Sequence, residues 1–339
     1  MTIRLKIKDS ICVLRNNAGE YVFLFTATRC MKTFKVDPLV EDIVDLLDNE
    51  ISIEDLEANL GGKYSPDNIS LCVNALEKQR IVRKYDGEIL PDRFSRQLLF
   101  IDELSSSYED ALKLHRRIRN SKVVVFGVGG IGTWIVNGLY QIGVGEIHIS
   151  DPDVIEFSNL NRQLFFDSRD VGDFKVDVIT RKLRDANITP HKSRVSPDED
   201  LTDILFGSDF IVNCTDNPSV AATSRIINEY ALRLSIPYCI SGGYNLHLGM
   251  VGPIIVPNQP PSLEDFLKYQ KSIDILNGLE VIRETKQPGN LGPIAGTVAN
   301  MQVMEIFKYL IGKGNLNVGR YAEIDFIDSS VTWMEVPSS

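Results

Sequence analysis

What this chain lacks narrows its chemistry first. Its five cysteines, Cys12, Cys30, Cys72, Cys214 and Cys239, form no CxxC pair and have no histidine beside them. Zinc is therefore not expected, and the odd, scattered set reads as reduced core thiols rather than as a catalytic nucleophile. The four histidines, His115, His148, His191 and His247, show no metal-ligand spacing and read as structural. No apolar run approaches the ~20 residues that a membrane span needs. The start, MTIRLKIKDS, is charged where a secretion signal would be apolar, which places the chain in the cytoplasm. An excess of positive charge is missing too. Lys and Arg number 36 against 46 Asp and Glu, a formal charge of −10, which argues against a nucleic-acid partner because phosphate binding wants a basic face. No internal repeat or low-complexity tract breaks up the 339 residues, enough for two domains around a proper core.

The amino-terminal part reads as a small domain. IRLKI (3–7), ICVLR (11–15) and YVFLFT (21–26) have strand character, with NNAG as a turn between the second and third. Three helices should follow. Asp37 before Pro38 is an N-cap and a first helical position, Ser52 with Asp55 resembles a capping box, and Ser65-Pro66 repeats the first device. Asp86-Gly87 marks a tight hairpin, a wing. Residues 1–92 are thus expected to form a winged-helix domain. Its charge is polarised: basic before residue 36, only acidic between Asp37 and Glu57, mixed on the third helix. A peptide groove fits this better than a nucleic-acid surface, with Tyr21–Thr26 as the exposed edge to which an extended peptide adds. A dimerisation appendage is the alternative.

From residue 121 strand and helix alternate: VVVFG, a helix over 131–141, EIHIS, a helix over 171–186, DFIVNC, a helix over 220–234, and PYCIS. This pattern predicts an α/β fold with a doubly wound, mainly parallel, Rossmann-like sheet whose ligand lies beyond the carboxyl ends of the strands. A helix over 294–311 and two antiparallel strands, YAEIDFI and VTWMEV, should close the chain. The polar, proline- and glycine-punctuated stretch 257–293 reads as a mobile crossover segment over the site.

The chemistry concentrates in 121–175. Gly127, Gly129, Gly130 and Gly132 stand at a strand-to-helix turn, where bare backbone N–H groups and the helix dipole can meet phosphate. Asp151, ending the next strand, is placed for ribose hydroxyls. That much also describes an NAD site. Asp153, Asn159, Arg162, Gln163 and Lys175 follow; Asn159, Arg162 and Lys175 stand where they could neutralise a triphosphate, and a dinucleotide needs no further cations there. Asp216, at the end of a later strand, could hold Mg²⁺ opposite them. The set describes ATP with Mg²⁺.

GVGGIG, DPDVIEFSNLNRQ (151–163), GDFKVDV with Lys175, CTDN with Asp216, and LGPIAGTVANMQVMEIFKYLIG resemble the ThiF/MoeB/HesA adenylating enzymes, relatives of the ubiquitin-activating enzymes. The resemblance covers roughly 93–335. It implies that residues 93–339 form an adenylation domain, in which a substrate carboxylate attacks the α-phosphate of ATP to give an acyl adenylate and pyrophosphate. It also implies a homodimer in which an arginine of R-x-x-R-Q, matched by Arg93 and Arg96 of RFSRQ, reaches into the partner's site; that role is carried onto Arg96. The family's two CxxC zinc pairs are missing, as is a cysteine within 257–293 for thioester formation. Arg225 stands later than the arginine that follows CTDN in many relatives.

An adenylating domain without zinc behind a small peptide-groove domain is similar to the subgroup that modifies ribosomally made precursor peptides, as in microcin C-type and pantocin-type biosynthesis. That likeness implies a leader peptide held by the amino-terminal domain and a carboxylate of the core peptide, of glutamate in the pantocin type, activated for cyclisation or dehydration. Arg96, Arg162, Lys175 and Asp216 would carry the reaction. The alternatives are microcin C-type P–N bond formation, adenylation of a sulfur carrier, and a non-catalytic leader-binding scaffold.

Overall fold

The structure, a computed structural model, describes residues 2–86, 93–273, 282 and 289–338. It falls into two compact units, Met1–His115 and Arg116–Ser339.

In the first unit, β1 (Ile3–Ile7), β2 (Ile11–Arg15), β3 (Tyr21–Phe25) and β4 (Cys30–Phe34) precede α1 (Pro38–Leu46), β5 (Ile51–Ser52), α2 (Ile53–Leu60) and α3 (Pro66–Lys78). Then come β6 (Val82–Asp86), α4 (Ser95–Leu104) and the start of α5 (Tyr108–Asn120). The three helices begin at the expected caps: Asp37 accepts from the Val40 amide, Ser52 from Asp55 and Ser65 from Asn68. Leu5, Phe23, Ile43, Leu56 and Ile69 meet in a common core.

The strands correct one expectation. Tyr21–Thr26 is no free edge, because β3 is central in an antiparallel β2-β3-β4 sheet. Residues 30–34, CMKTF, have weak strand character, yet they pair along the whole of β3, from Phe25↔Cys30 to Tyr21↔Phe34. The free edges of this sheet belong to β2 and β4. β1 lies in a second sheet between β5 and β6. The expected wing beyond Asp86-Gly87 lies outside the described residues.

The RFSRQ helix, α4, is grouped with this unit by a buried ionic cluster. Asp102 on α4 receives Lys8 Nζ at 3.0 Å and Arg83 Nε at 3.1 Å, and all three side chains are buried. Burial lowers the proton affinity of Lys8 while Asp102 and Glu103 oppose that shift. Removing one member would strand a charge in a low-dielectric interior.

The second unit opens with β7 (Lys122–Phe126), α6 (Gly130–Ile142) and β8 (Glu146–Ser150). These lead through a 3-10 turn (Phe157–Asn159) to α7 (Lys175–Lys182), β9 (Ile188–His191), α8 (Thr202–Leu205), β10 (Phe210–Asn213), α9 (Val220–Leu234) and β11 (Tyr238–Ile240). The sheet order is β14-β11-β10-β7-β8-β9, with β14 (Ile254–Ile255) antiparallel and the other neighbours parallel. It is the expected doubly wound sheet. Strand order reverses at β7, whose neighbours are β8 on one side and β10 on the other, so a crevice forms beyond their carboxyl ends.

A four-stranded antiparallel sheet joins β12 (Tyr244–Asn245), β13 (Leu248–Val251), β15 (Arg320–Asp325) and β16 (Ser330–Glu335) in that order. β15 and β16 are the two expected closing strands; the β12–β13 hairpin was not legible in the pattern. The expected crossover segment is partly corrected. Its residues Leu263–Ser272 form a helix, α10, with a Ser262–Asp265 capping box and with Leu263 and Phe266 buried. Residues 274–281 and 283–288 lie outside the described residues. α11 (Gly292–Ile311) spans the predicted 294–311 helix and packs Val303 against Gly138 of α6.

The cysteines are free. Cys239 is buried, but Cys12 and Cys30 are exposed on edge strands, so the core-thiol reading fails for those two. Among the described residues no helix is long and apolar enough to cross a membrane.

Candidate active site

A cleft of about 390 Å³ opens at the carboxyl ends of β7, β8, β10 and β11. Its four signature glycines do different jobs. Gly127 turns the chain at φ +83°, and a Cβ there would lie 2.8 Å from the Cys214 carbonyl oxygen. Gly132 lets the first turn of α6 pack on that bend, since a Cβ would collide with the Gly127 carbonyl oxygen. Gly129, with open space around it, and Gly130 bare the amino end of α6 to the cleft. Gly132→Ala should accordingly unfold at markedly lower temperature, losing roughly 3 kcal/mol or more, because both colliding atoms are backbone; thermal melting checks this. Gly129→Ala should leave the melting temperature unchanged.

Asp151 is buried and holds the turn together. One carboxylate oxygen accepts the Val128 amide at 2.8 Å, the other the Asp153 amide at 2.9 Å. Burial raises its proton affinity, and the Lys175 charge with these amides opposes the rise. Lys175, at the start of α7, donates to Asp153 at 3.0 Å and stands 3.8 Å from Asp151. Its ammonium is thus held between two carboxylates while lining the cleft.

Arg162, Gln163 and Asp216 also line the cleft. Arg162 Nη1 donates to the Ser158 carbonyl at 2.7 Å. Gln163 is buried and its Oε1 has no hydrogen-bond partner. Asn159, read as a nucleotide contact, is not on the cleft wall. Its Oδ1 accepts the Glu156 amide at 3.1 Å, and its carbonyl accepts the Arg162 and Gln163 amides, so it sets the turn that aims those two residues. Asp216 is exposed, in a loop ordered by Asn213, whose Oδ1 accepts both the amide and the hydroxyl of Thr215. Arg225 is spent on Glu264, 2.9 Å away on α10. Arg96 is exposed on α4 in the other unit.

Mg²⁺ binds through one or two carboxylates and fills its octahedron with water and phosphate oxygens. A lone exposed carboxylate such as Asp216, beside a cationic cleft, fits that habit, and among the described residues no cluster of three or more His, Cys, Asp or Glu offers a fuller cage. Cys214 lines the cleft, but burial pushes its thiol up to about 12, so it is no ready nucleophile.

Sequence reasoning missed one wall of the cleft. Ser193 and Arg194 after β9, and Ser241 to Tyr244 from the end of β11 to the first residue of β12, line it as well. The Gly242-Gly243 pair was the one signal available, since two glycines after a strand allow close backbone approach; a Cβ on Gly242 would collide with the Met250 carbonyl oxygen.

Residues 94–339 match the model of the ThiF family. Among curated proteins, the adenylyltransferase and sulfurtransferase uba4 of Emericella nidulans is 32% identical over 206 residues, 58% of this chain and 41% of that protein. The Saccharomyces cerevisiae protein of the same description is 29% identical over 210 residues, 58% of this chain and 43% of that one. The chain thus matches about two-fifths of the length of these relatives. Similar solved structures include PaaA, with a TM-score of 0.75 and 20% identity, covering 97% of this chain and 99% of that one. Escherichia coli MccB with ATP has a TM-score of 0.70 and 20% identity over 99% and 98% of the two chains. MccB with MccA gives 0.71 and 21% over 100% and 98%.

Proposed function

The chain belongs to the ThiF family of ATP-dependent adenylating enzymes, and we propose that it activates a carboxylate of a ribosomally made precursor peptide. The observation that carries this reading is a single cleft that joins the bare amino end of α6, the cationic side chains of Arg162, Lys175 and Arg194, and the exposed Asp216 carboxylate. In this reading one carboxylate oxygen of the peptide attacks the α-phosphorus of ATP and pyrophosphate leaves. An internal nucleophile then displaces AMP from the acyl adenylate, as in pantocin-type cyclisation, with a glutamate side chain as the activated group; P–N bond formation is the microcin C-type variant. Arg162, Lys175 and the α6 amides hold the phosphate chain and offset its growing charge. Mg²⁺ at Asp216 would supply further positive charge to the phosphates. Residues 93–339 would do this chemistry and residues 1–92 would hold the leader.

The likeness to PaaA and MccB supports the peptide reading, because it spans 97% and 100% of this chain where the uba4 match spans 58%. The uba4 similarity favours a second reading, adenylation of a sulfur-carrier protein. The Cys214 thiol, pushed up to about 12, and the absence of cysteine in 257–293 count against covalent sulfur transfer.

Calorimetry with ATP·Mg²⁺ and with NAD tests the nucleotide: ATP should bind and NAD should not, and the reverse would end the adenylation reading. Release of pyrophosphate that depends on a leader-bearing peptide then separates the two substrates. For the proposed homodimer, mixing Arg96→Ala with Lys175→Ala subunits should restore about a quarter of the sites, since random exchange makes half the dimers hybrid with one site intact in each. No recovery under demonstrated exchange would remove Arg96 from the partner's site.

A further inference from the structure

Tyr244 opens β12 and reaches back over the amino end of α6. Its hydroxyl fills the space where a Cβ on Gly130 would stand. Burial raises the proton affinity of the phenol, the Arg162 guanidinium opposes this, and the Asp216 carboxylate adds to the rise through its charge. A guanidinium can only donate, so the Arg162 beside it offers no acceptor for the phenol's proton. The groups beside it at the start of α6 are backbone N–H donors as well. Among the described residues no acceptor takes that proton. A hydroxyl set among donors, at the positive end of a helix and against an arginine, has the company that an anionic oxygen seeks.

A second observation points the same way. The cleft wall holds two buried side chains with unsatisfied oxygens, Gln163 Oε1 and Ser241 Oγ; Ser241 has only the weakly polar Cys214 thiol beside it. Ser241 stands three residues before Tyr244 on the same segment, and the Ser241 amide donates to the Asn213 carbonyl at 2.8 Å. The segment is thereby tied to the strand that carries the Asp216 loop. Polar atoms left unpaired in a buried wall are costly unless a ligand completes them.

We propose that Tyr244 is a specificity-determining residue of this site, its hydroxyl donating a hydrogen bond to a phosphate oxygen of the nucleotide bound at the start of α6. The inference rests on the ATP reading above. Because Tyr244 begins the β12–β13 hairpin, which pairs Tyr244 with Gly249 and Asn245 with Leu248, the contact ties the phosphate chain to the antiparallel sheet beside the cleft. No covalent step is involved, and the phenol keeps its proton.

The test is calorimetry of the full chain with Mg²⁺, comparing ATP with adenosine for wild type and Tyr244→Phe, which keeps the ring and removes only the hydroxyl. ATP affinity should fall about tenfold, as for loss of one hydrogen bond to a charged group. Adenosine affinity and the melting temperature should not change. Equal or tighter ATP binding by Tyr244→Phe would overturn the assignment, since the hydroxyl would then be neutral or an obstruction. An equal loss for ATP and adenosine would also overturn it, making Tyr244 a structural residue. Failure of the wild type to bind ATP at all would bring down the adenylation reading itself, which the wild-type titration reveals before any variant is compared.

Discussion

Asp216→Asn should lower AMP formation by roughly a thousandfold, the scale seen when one electrostatic contact to developing charge is removed, with little change in melting temperature. The side chain is exposed, in a loop whose order comes from Asn213 and Thr215, so an isosteric amide costs the fold nothing while removing the charge that would hold Mg²⁺. The measurements are peptide-dependent AMP release and thermal unfolding, side by side. Normal AMP release would show that the metal carboxylate lies elsewhere. Lys175→Ala is a less clean probe, because it leaves buried Asp151 without its nearest cation and confounds chemistry with stability.

Leu71→Asp should weaken leader binding about thirtyfold, as for loss of one central apolar anchor of about 2 kcal/mol, and leave ATP affinity intact. β4 has a free edge, and Lys32 on it donates to the Gln79 carbonyl and side chain at the end of α3 at 2.9 and 3.0 Å. That pair of bonds sets β4 beside α3, whose exposed positions Leu71, Asn74, Ala75 and Lys78 recur at helical spacing. Leu71 is 71% exposed, so an acid there should not disturb the core. Under the proposed peptide reading the leader would add to the free edge of β4. Anisotropy with a labelled leader decides the matter; unchanged affinity in the Leu71→Asp variant would refute the β4–α3 groove. Point substitutions are preferable to deleting the first 90 residues, because deletion would remove Lys8 and Arg83 and strand the buried carboxylate of Asp102.

The difference between β3 and β4 shows where pattern reading fails. YVFLF announces a strand through its side chains, and CMKTF does not; pairing is decided by backbone groups that no residue type advertises. The same holds for the β12–β13 hairpin, only two and four residues long on its two sides. Tyr244 could not be singled out from its surroundings in the chain, because its relation to Gly130 spans more than a hundred residues and exists only once the two sheets are in place. Asn159 illustrates the converse: the right turn was read, but a side chain that completes a local cap has no oxygen left over to advertise that choice.

Local chemistry, by contrast, was legible wherever it acts over a few residues. Helix caps at Asp37, Ser52 and Ser65, the glycine turn after β7, and the alternation that builds a doubly wound sheet all follow from steric and hydrogen-bonding demands met within a short stretch of chain. The sequence by itself therefore determined the fold class, the place of the cleft at the strand ends, and the residue types that reach it. Tertiary structure alone decided which strand offers an edge, that Lys175 stands between two carboxylates, that Arg225 is spent on Glu264, and that a tyrosine hydroxyl stands over the start of α6. Each of those depends on groups distant in sequence competing for the same space or the same proton, and such competition is settled only when the chain has folded.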